Sequence, residues 1–210
     1  MYTLFGTKGS GSAAVELALE YCGLPFRIVR ASRWETDSAL DELRKVNPLM
    51  QIPTLALPGG GVMTESAAIL LHLGLDVAPP GKLLPEDRAD RAQAIRGLVY
   101  IPANCYSAIT AIDYPERFTT VTDKDSLEAI RQGTRKYLHR NWEIFADTFI
   151  GRPFLSGDAP GALDFLAAVV SRWSGTRAYL REHRPEFYDV LMRIESHDVL
   201  APVFKRHWDT

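Results

Sequence analysis

The chain has 210 residues, 46% of them hydrophobic, with 24 Lys and Arg against 26 Asp and Glu and a formal net charge of −2. That length allows one large domain or two small ones with a real core, and the near-balanced charge leaves no electrostatic case for nucleic acid or an anionic membrane as main partner. Cys22 and Cys105 show neither C-x-x-C nor metal-ligand spacing, which excludes a dithiol redox motif and suits a reducing cytosol, and no apolar run approaches the ~20 residues of a membrane span.

Taken in order, YTLF from Tyr2 reads as a short strand. SAAVELALEYCGL reads as a helix, with Val15, Leu17, Ala18 and Tyr21 near helical spacing and Gly23 as its stop. FRIVRA alternates as a second strand. SALDELRKVN is a short helix closed at Asn47-Pro48, because the residue before a proline avoids the helical region. PTLAL is a third strand and PGGGVM a hairpin turn into a fourth. TESAAILLHLGL then opens a helix, with Thr64 as its N-cap. Residues 1–76 therefore order as βαβ-α-ββα, and the Pro- and Gly-rich stretch 77–85 reads as a linker.

From 86 to 210 the pattern is helical throughout. Ile95, Leu98, Val99, Pro102, Tyr106 and Ile109 share one stripe, which Pro102 should bend. A long helix from about Asp125 to Thr148 turns Leu127, Ile130, Tyr137, Leu138, Trp142, Phe145 and Phe149 inward. ALDFLAAVVSRW is apolar except for Asp164 and reads as a buried central helix. The tail from Arg184 adds one or two more.

Three stretches carry chemistry. Gly9, Gly11 and Ala14 spell G-x-G-x-x-A between the first strand and first helix, as a dinucleotide loop does. A dinucleotide fold needs about six parallel strands and an acidic residue ~20 positions on. Here the alternation stops after two βα units and Val29-Arg30 stand in the acidic place, so the loop holds something else. In QIPTLAL, Pro53 opens a strand, a place that suits a cis bond and leaves the backbone of Ile52 free to pair with an extended peptide. In MTESAAILL, the Ser66 hydroxyl and free N–H groups at a helix start suit a carboxylate, while Glu65 suits an ammonium; together they fit an α-amino acid head group.

The order βαβ-α-ββα with NPLMQIPTL and TESAAIL, followed by an all-α domain, resembles the cytosolic glutathione transferase family over essentially the whole chain. The resemblance implies an N-terminal thioredoxin-like domain (1–76) and an all-helical domain (86–210) that forms the electrophile pocket. It implies that Ile52 pairs with the cysteinyl unit of glutathione ahead of a cis Pro53, that Glu65 and Ser66 hold the γ-glutamyl end, and that Gln51 bonds the same tripeptide. Asp164 falls on the family's capping position, reaching back to a helix start where Gly161 replaces the usual hydroxyl.

In that family the opening loop activates the glutathione thiol. Lowering a thiol from about 8.5 by roughly 2 units takes about 2.7 kcal/mol, within reach of one hydrogen bond to the anion, worth roughly 1.5–3 kcal/mol. The commonest hydroxyl position of serine-type members falls on Gly9, with Ser10 beside it, and the bacterial cysteine-type position falls on Gly11. A protein-cysteine disulfide mechanism is thereby excluded, and Ser10, Ser12, a backbone N–H or Tyr2 remain as activating groups; Ser12 reads equally as a plain N-cap. Tyr100, Cys105, Tyr106 and Phe118 are candidates for the second-substrate pocket. Trp34 suits the glycine end of glutathione or a dimer contact, and Cys22 reads as inert core.

The expected protein is a cytoplasmic homodimer that uses glutathione as co-substrate, with no metal, to attack a small apolar electrophile in detoxification. Isomerase, reductase or peroxidase chemistry stays open beside it, as do a non-catalytic interaction module and a carrier of apolar ligands.

Overall fold

The computed structural model describes residues 1–209. Strands β1 (Tyr2–Gly6), β2 (Phe26–Arg30), β3 (Thr54–Ala56) and β4 (Val62–Thr64) form one mixed sheet in the order β2-β1-β3-β4. β1 and β2 are parallel, joined by helix α1 (Ser12–Tyr21); β3 runs antiparallel to both β1 and β4. Helix α2 (Leu40–Val46) leads into β3, and α3 (Ser66–His72) follows β4, running on as a π-helical turn, Leu73–Val77. This is the thioredoxin-like arrangement expected.

Period-two alternation decides what each sheet face meets. Leu4 and Leu55 turn into the main core with α1 and α3. Phe5 and Ala56 turn the other way, onto a small cluster with Ala31 and Leu43 beneath α2. β2 is an edge strand: Phe26 joins the main core and Val29 the small one, while Ile28 is exposed.

Beyond these elements the described residues form helices and their connecting loops. α4 (Arg88–Tyr100) passes into a π-helical segment, Ile101–Tyr106, and then α5 (Ser107–Asp113); α6 (Lys124–Phe149) is the long helix. α7 (Ala162–Val170), α8 (Thr176–His183), α9 (Pro185–Ser196) and α10 (Ala201–Trp208) complete the bundle. Every residue of α7 is buried, so it is the bundle's central helix. Asp164 caps it: its carboxylate accepts the N–H groups of Leu155, Ser156 and Gly161 at 2.7, 3.0 and 3.0 Å. The core is continuous, with α1 and α3 sharing buried residues with α4 and α7.

The structure corrects several local readings. Thr64 ends β4 and caps nothing; α3 starts at Ser66, behind Glu65. Pro102, lacking an N–H, turns the helix into a π-helical stretch rather than a simple bend. Val99 on α4 and Tyr137 on α6, both expected inside, are about half exposed. Helix α8 has no counterpart in the sequence reading, because TRAYLREH is too polar to give a long apolar stripe.

Candidate functional site

The loop between β1 and α1 is closed by its own hydroxyls. Ser10 Oγ lies 2.8 Å from the Thr7 carbonyl and 2.8 Å from Ser12 Oγ. Ser12 Oγ accepts the Thr7 N–H at 3.3 Å, and the Ser12 N–H donates to Ser10 Oγ at 3.3 Å. Both serines are buried, 6% and 2% exposed. Gly6 is needed to make room, since a Cβ there would collide with Ser12 Oγ. Gly11, not a hydroxyl, is the N-cap of α1, so Ser12 is its first helical residue. The hydroxyls of Ser10 and Ser12 thus have partners within the loop, whereas the buried Thr7 Oγ1 has none among the described residues. Tyr2 is buried in the core.

The Tyr106 hydroxyl stands directly over the start of α1. Gly11 has ordinary helical backbone, φ −61°, yet a Cβ there would collide with Tyr106 Oη and lie 3.8 Å from Pro53 Cδ. The β1–α1 loop, Pro53 and the π-helical segment therefore meet at one point. The Tyr106 ring packs edge-on against Trp173, centroids 5.5 Å apart, and Trp173 Nε1–H donates to the Gly9 carbonyl at 3.3 Å. The Tyr106 hydroxyl has no hydrogen-bond partner among the described residues. Burial, and then the charge of Glu65, push its ionisation well above the ordinary tyrosine range, so it stays a neutral donor.

The second end of the site is built locally. The Ile52–Pro53 bond is cis. Asn47, 3% exposed, ties the loop before it: Nδ2 donates to the Gln51 carbonyl at 3.0 Å and to Thr54 Oγ1 at 2.9 Å, and Oδ1 accepts the Leu49 N–H at 3.1 Å. The Gln51 side chain is exposed, while Ile52 packs on the small core. Glu65 sits at φ 64°, ψ 110°, sparsely populated backbone for a non-glycine residue and the kind of strain that functional sites hold. It is exposed, and Ser66 behind it is 8% exposed.

Tyr100 is not brought to this group. Its hydroxyl donates to the Asn141 carbonyl at 3.0 Å and its ring packs on Phe145 and Phe149, so it belongs to the α4–α6 contact. Burial pushes the Cys105 thiol up to about 12, too high for a nucleophile, and raises that of half-buried Cys22 as well. Trp34 and Phe118 are exposed. Among the described residues no group of three His, Cys, Asp or Glu could hold a metal ion.

Three residues of the site went unread in the sequence. Asn47 was read only as a helix stop, though a buried Asn before a proline is a turn-builder. Trp173 closes the buried α7 segment and was visible as an aromatic, without a signal for where it points. His207 had no signal at all. Its Nδ1 accepts the Gly9 N–H at 3.2 Å, which leaves the ring proton on Nε2, 2.8 Å from Glu16 Oε2. Glu16 is 3% exposed inside α1 and also takes Arg206 Nε and Nη2 at 3.0 and 2.7 Å. Burial would raise the Glu16 carboxyl, but the hydrogen bonds from His207 and Arg206, with the charge of Arg206, hold it below its usual range.

Comparison with known proteins points to one family. Residues 12–75 match the family model described as glutathione S-transferase, N-terminal domain. The chain is 29% identical over 211 residues, 99% of its length and 98% of the relative's, to the uncharacterized GST-like protein YncG of Escherichia coli K12. It is 25% identical over 175 residues, 81% of each chain, to the glutathione S-transferase GstA of Escherichia coli O157:H7. Its fold matches that of a glutathione transferase homologue from Sulfitobacter with bound glutathione, with TM-score 0.84 and 21% identity over 97% of this chain and 96% of the other.

Proposed function

We propose, for a chain that is a member of the cytosolic glutathione transferase family by its N-terminal domain and its fold, that it binds glutathione and stabilises the thiolate for attack on a small apolar electrophile. The observation that carries this reading is the line of groups from Glu65 and Ser66, past the cis Ile52–Pro53 bond, to the start of α1 at Gly11. Glu65 and Ser66 would take the ammonium and carboxylate of the γ-glutamyl unit. Ile52 would offer its backbone to the cysteinyl unit and Gln51 its side chain. The sulfur then falls at the helix start, where the dipole favours an anion by about 0.3–1 kcal/mol. The protein supplies thiolate stabilisation and proximity, and the electrophile enters from the bundle side.

Exposed Trp34 and Leu49 on the N-terminal half support a homodimer. A non-catalytic carrier or interaction module is favoured by one observation only: the hydroxyls of Ser10 and Ser12 are spent inside their loop. Calorimetric titration with glutathione, followed in parallel by thiolate absorbance, separates the readings. Binding in the micromolar to low-millimolar range with thiolate at neutral pH is the expected result. Binding without thiolate would favour the carrier, and no binding the interaction module.

A further inference from the structure

We infer that Tyr106, rather than a serine of the β1–α1 loop, donates the hydrogen bond that stabilises the glutathione thiolate. The inference rests on the proposed glutathione-binding role and adds to it the identity of the activating group.

Three independent observations carry it. First, the loop serines are committed: Ser10 Oγ bonds the Thr7 carbonyl and Ser12 Oγ, both at 2.8 Å, inside a buried ring of contacts. Both serine hydroxyls also reach the Thr7 carbonyl, at 2.8 and 3.3 Å, so each proton already has an acceptor inside the loop. Second, the Tyr106 hydroxyl occupies the space a side chain at Gly11 would fill, with Pro53 on the other side, and it is otherwise unbonded among the described residues. That hydroxyl is the nearest atom to a Cβ built on Gly11, so a sulfur held there beside Pro53 would lie within its reach. Third, the ring is held in place: Trp173 packs against its edge while donating to the Gly9 carbonyl of the same loop. The donor is therefore pre-aimed, as transition-state and anion stabilisers must be.

The step is an acid ionisation. The S–H bond breaks, its electron pair stays on sulfur, and the proton leaves to solvent. Tyr106 keeps its own proton and donates O–H···S⁻. Burial and the negative charge of Glu65 both disfavour the phenolate, which keeps Tyr106 a donor across the neutral range. Gly11 acquires a reason as well, because any side chain there would push the hydroxyl away.

The test is to measure glutathione affinity, the apparent pKa of the bound thiol by thiolate absorbance, and kcat and KM with a generic aryl halide, for wild type, Tyr106→Phe, Ser10→Ala and Gly11→Ala. Tyr106→Phe is expected to leave glutathione affinity within about threefold, raise the bound-thiol pKa by about 1–2 units and lower kcat about 10- to 100-fold, the factor one charge-assisted hydrogen bond is worth. Gly11→Ala is expected to shift the thiol in the wild type and to add nothing in the Tyr106→Phe background, a cycle that isolates the contact from a general loss of packing. A bound thiol left unshifted in Tyr106→Phe and shifted in Ser10→Ala would overturn the inference while leaving glutathione binding intact. Absence of glutathione binding in the wild type would overturn the functional reading itself and this inference with it.

Discussion

The two ends of the candidate site are built in opposite ways. The glutamyl end, Asn47 through Ser66, is one continuous piece of chain whose shape is set by contacts a few residues long, such as Asn47 Nδ2 to the Gln51 carbonyl. The other end, proposed for the thiol, takes the loop from Thr7 to Gly11 and completes it with Tyr106, Trp173 and His207, the last joined to Gly9 across 198 residues. A site assembled locally is written in the sequence as a motif. A site assembled from distant elements is written only in how those elements pack.

Breaking each end in turn should show the contrast. The largest effect is expected from Asn47→Ala, which leaves the Leu49 N–H without its acceptor and removes the donor shared by the Gln51 carbonyl and Thr54 Oγ1. A stability loss of about 2–4 kcal/mol in urea unfolding, with glutathione affinity falling alongside it, is the expected result. An unchanged unfolding midpoint would show that the loop is not held by this side chain.

His207→Ala acts on the other end. It removes the acceptor of the Gly9 N–H and one of the partners of Glu16, at about 1–3 kcal/mol by the same measurement. Its effect on turnover should exceed its effect on glutathione affinity, since the proposed pose puts the sulfur, and not the glutamyl group, beside the loop that holds Gly9. Equal losses in both would erase the distinction between the ends.

Glu65→Gln should do the reverse. Glu65 is exposed and its pairing with an ammonium is screened, so a loss of about 1 kcal/mol, five- to tenfold in glutathione dissociation constant, is expected with kcat at saturation little changed.

The smallest effect is a pH dependence. The Glu16 carboxyl is held below its ordinary 4.5, so its contribution to stability is present above that value and lost as pH falls through its folded pKa. Arg206, His207 and Glu20 are the charged or titratable groups around it. Below pH 4.5 the docking of α10 on α1 should loosen first, with Trp208 fluorescence changing ahead of global unfolding. A single coincident transition would count against it.

The same contrast explains what could be read beforehand. The alternation in YTLF and the apolar run of ALDFLAAVV fixed a strand and a buried helix, because burial selects periodicity directly. Ile52, Pro53, Glu65 and Ser66 were legible because backbone geometry and helix starts have local chemical signatures. Tyr106 was legible as a pocket residue but not as a neighbour of Gly11, for the π-helical turn at Pro102 resets the register that periodicity would assign it. Tyr100 lies ahead of that turn and faces α6 instead, because a side chain's direction on a helix is settled by what packs beside it, here Asn141.

The Gly9–His207 bond has a consequence for biosynthesis. The first eleven residues to leave the ribosome cannot take their final shape until residues 173 and 207 have followed them. A nascent chain can form its sheet early and still lack a finished sulfur end. A prematurely released chain would therefore keep the Asn47–Ser66 piece of the candidate site and lack the packing that finishes the β1–α1 loop.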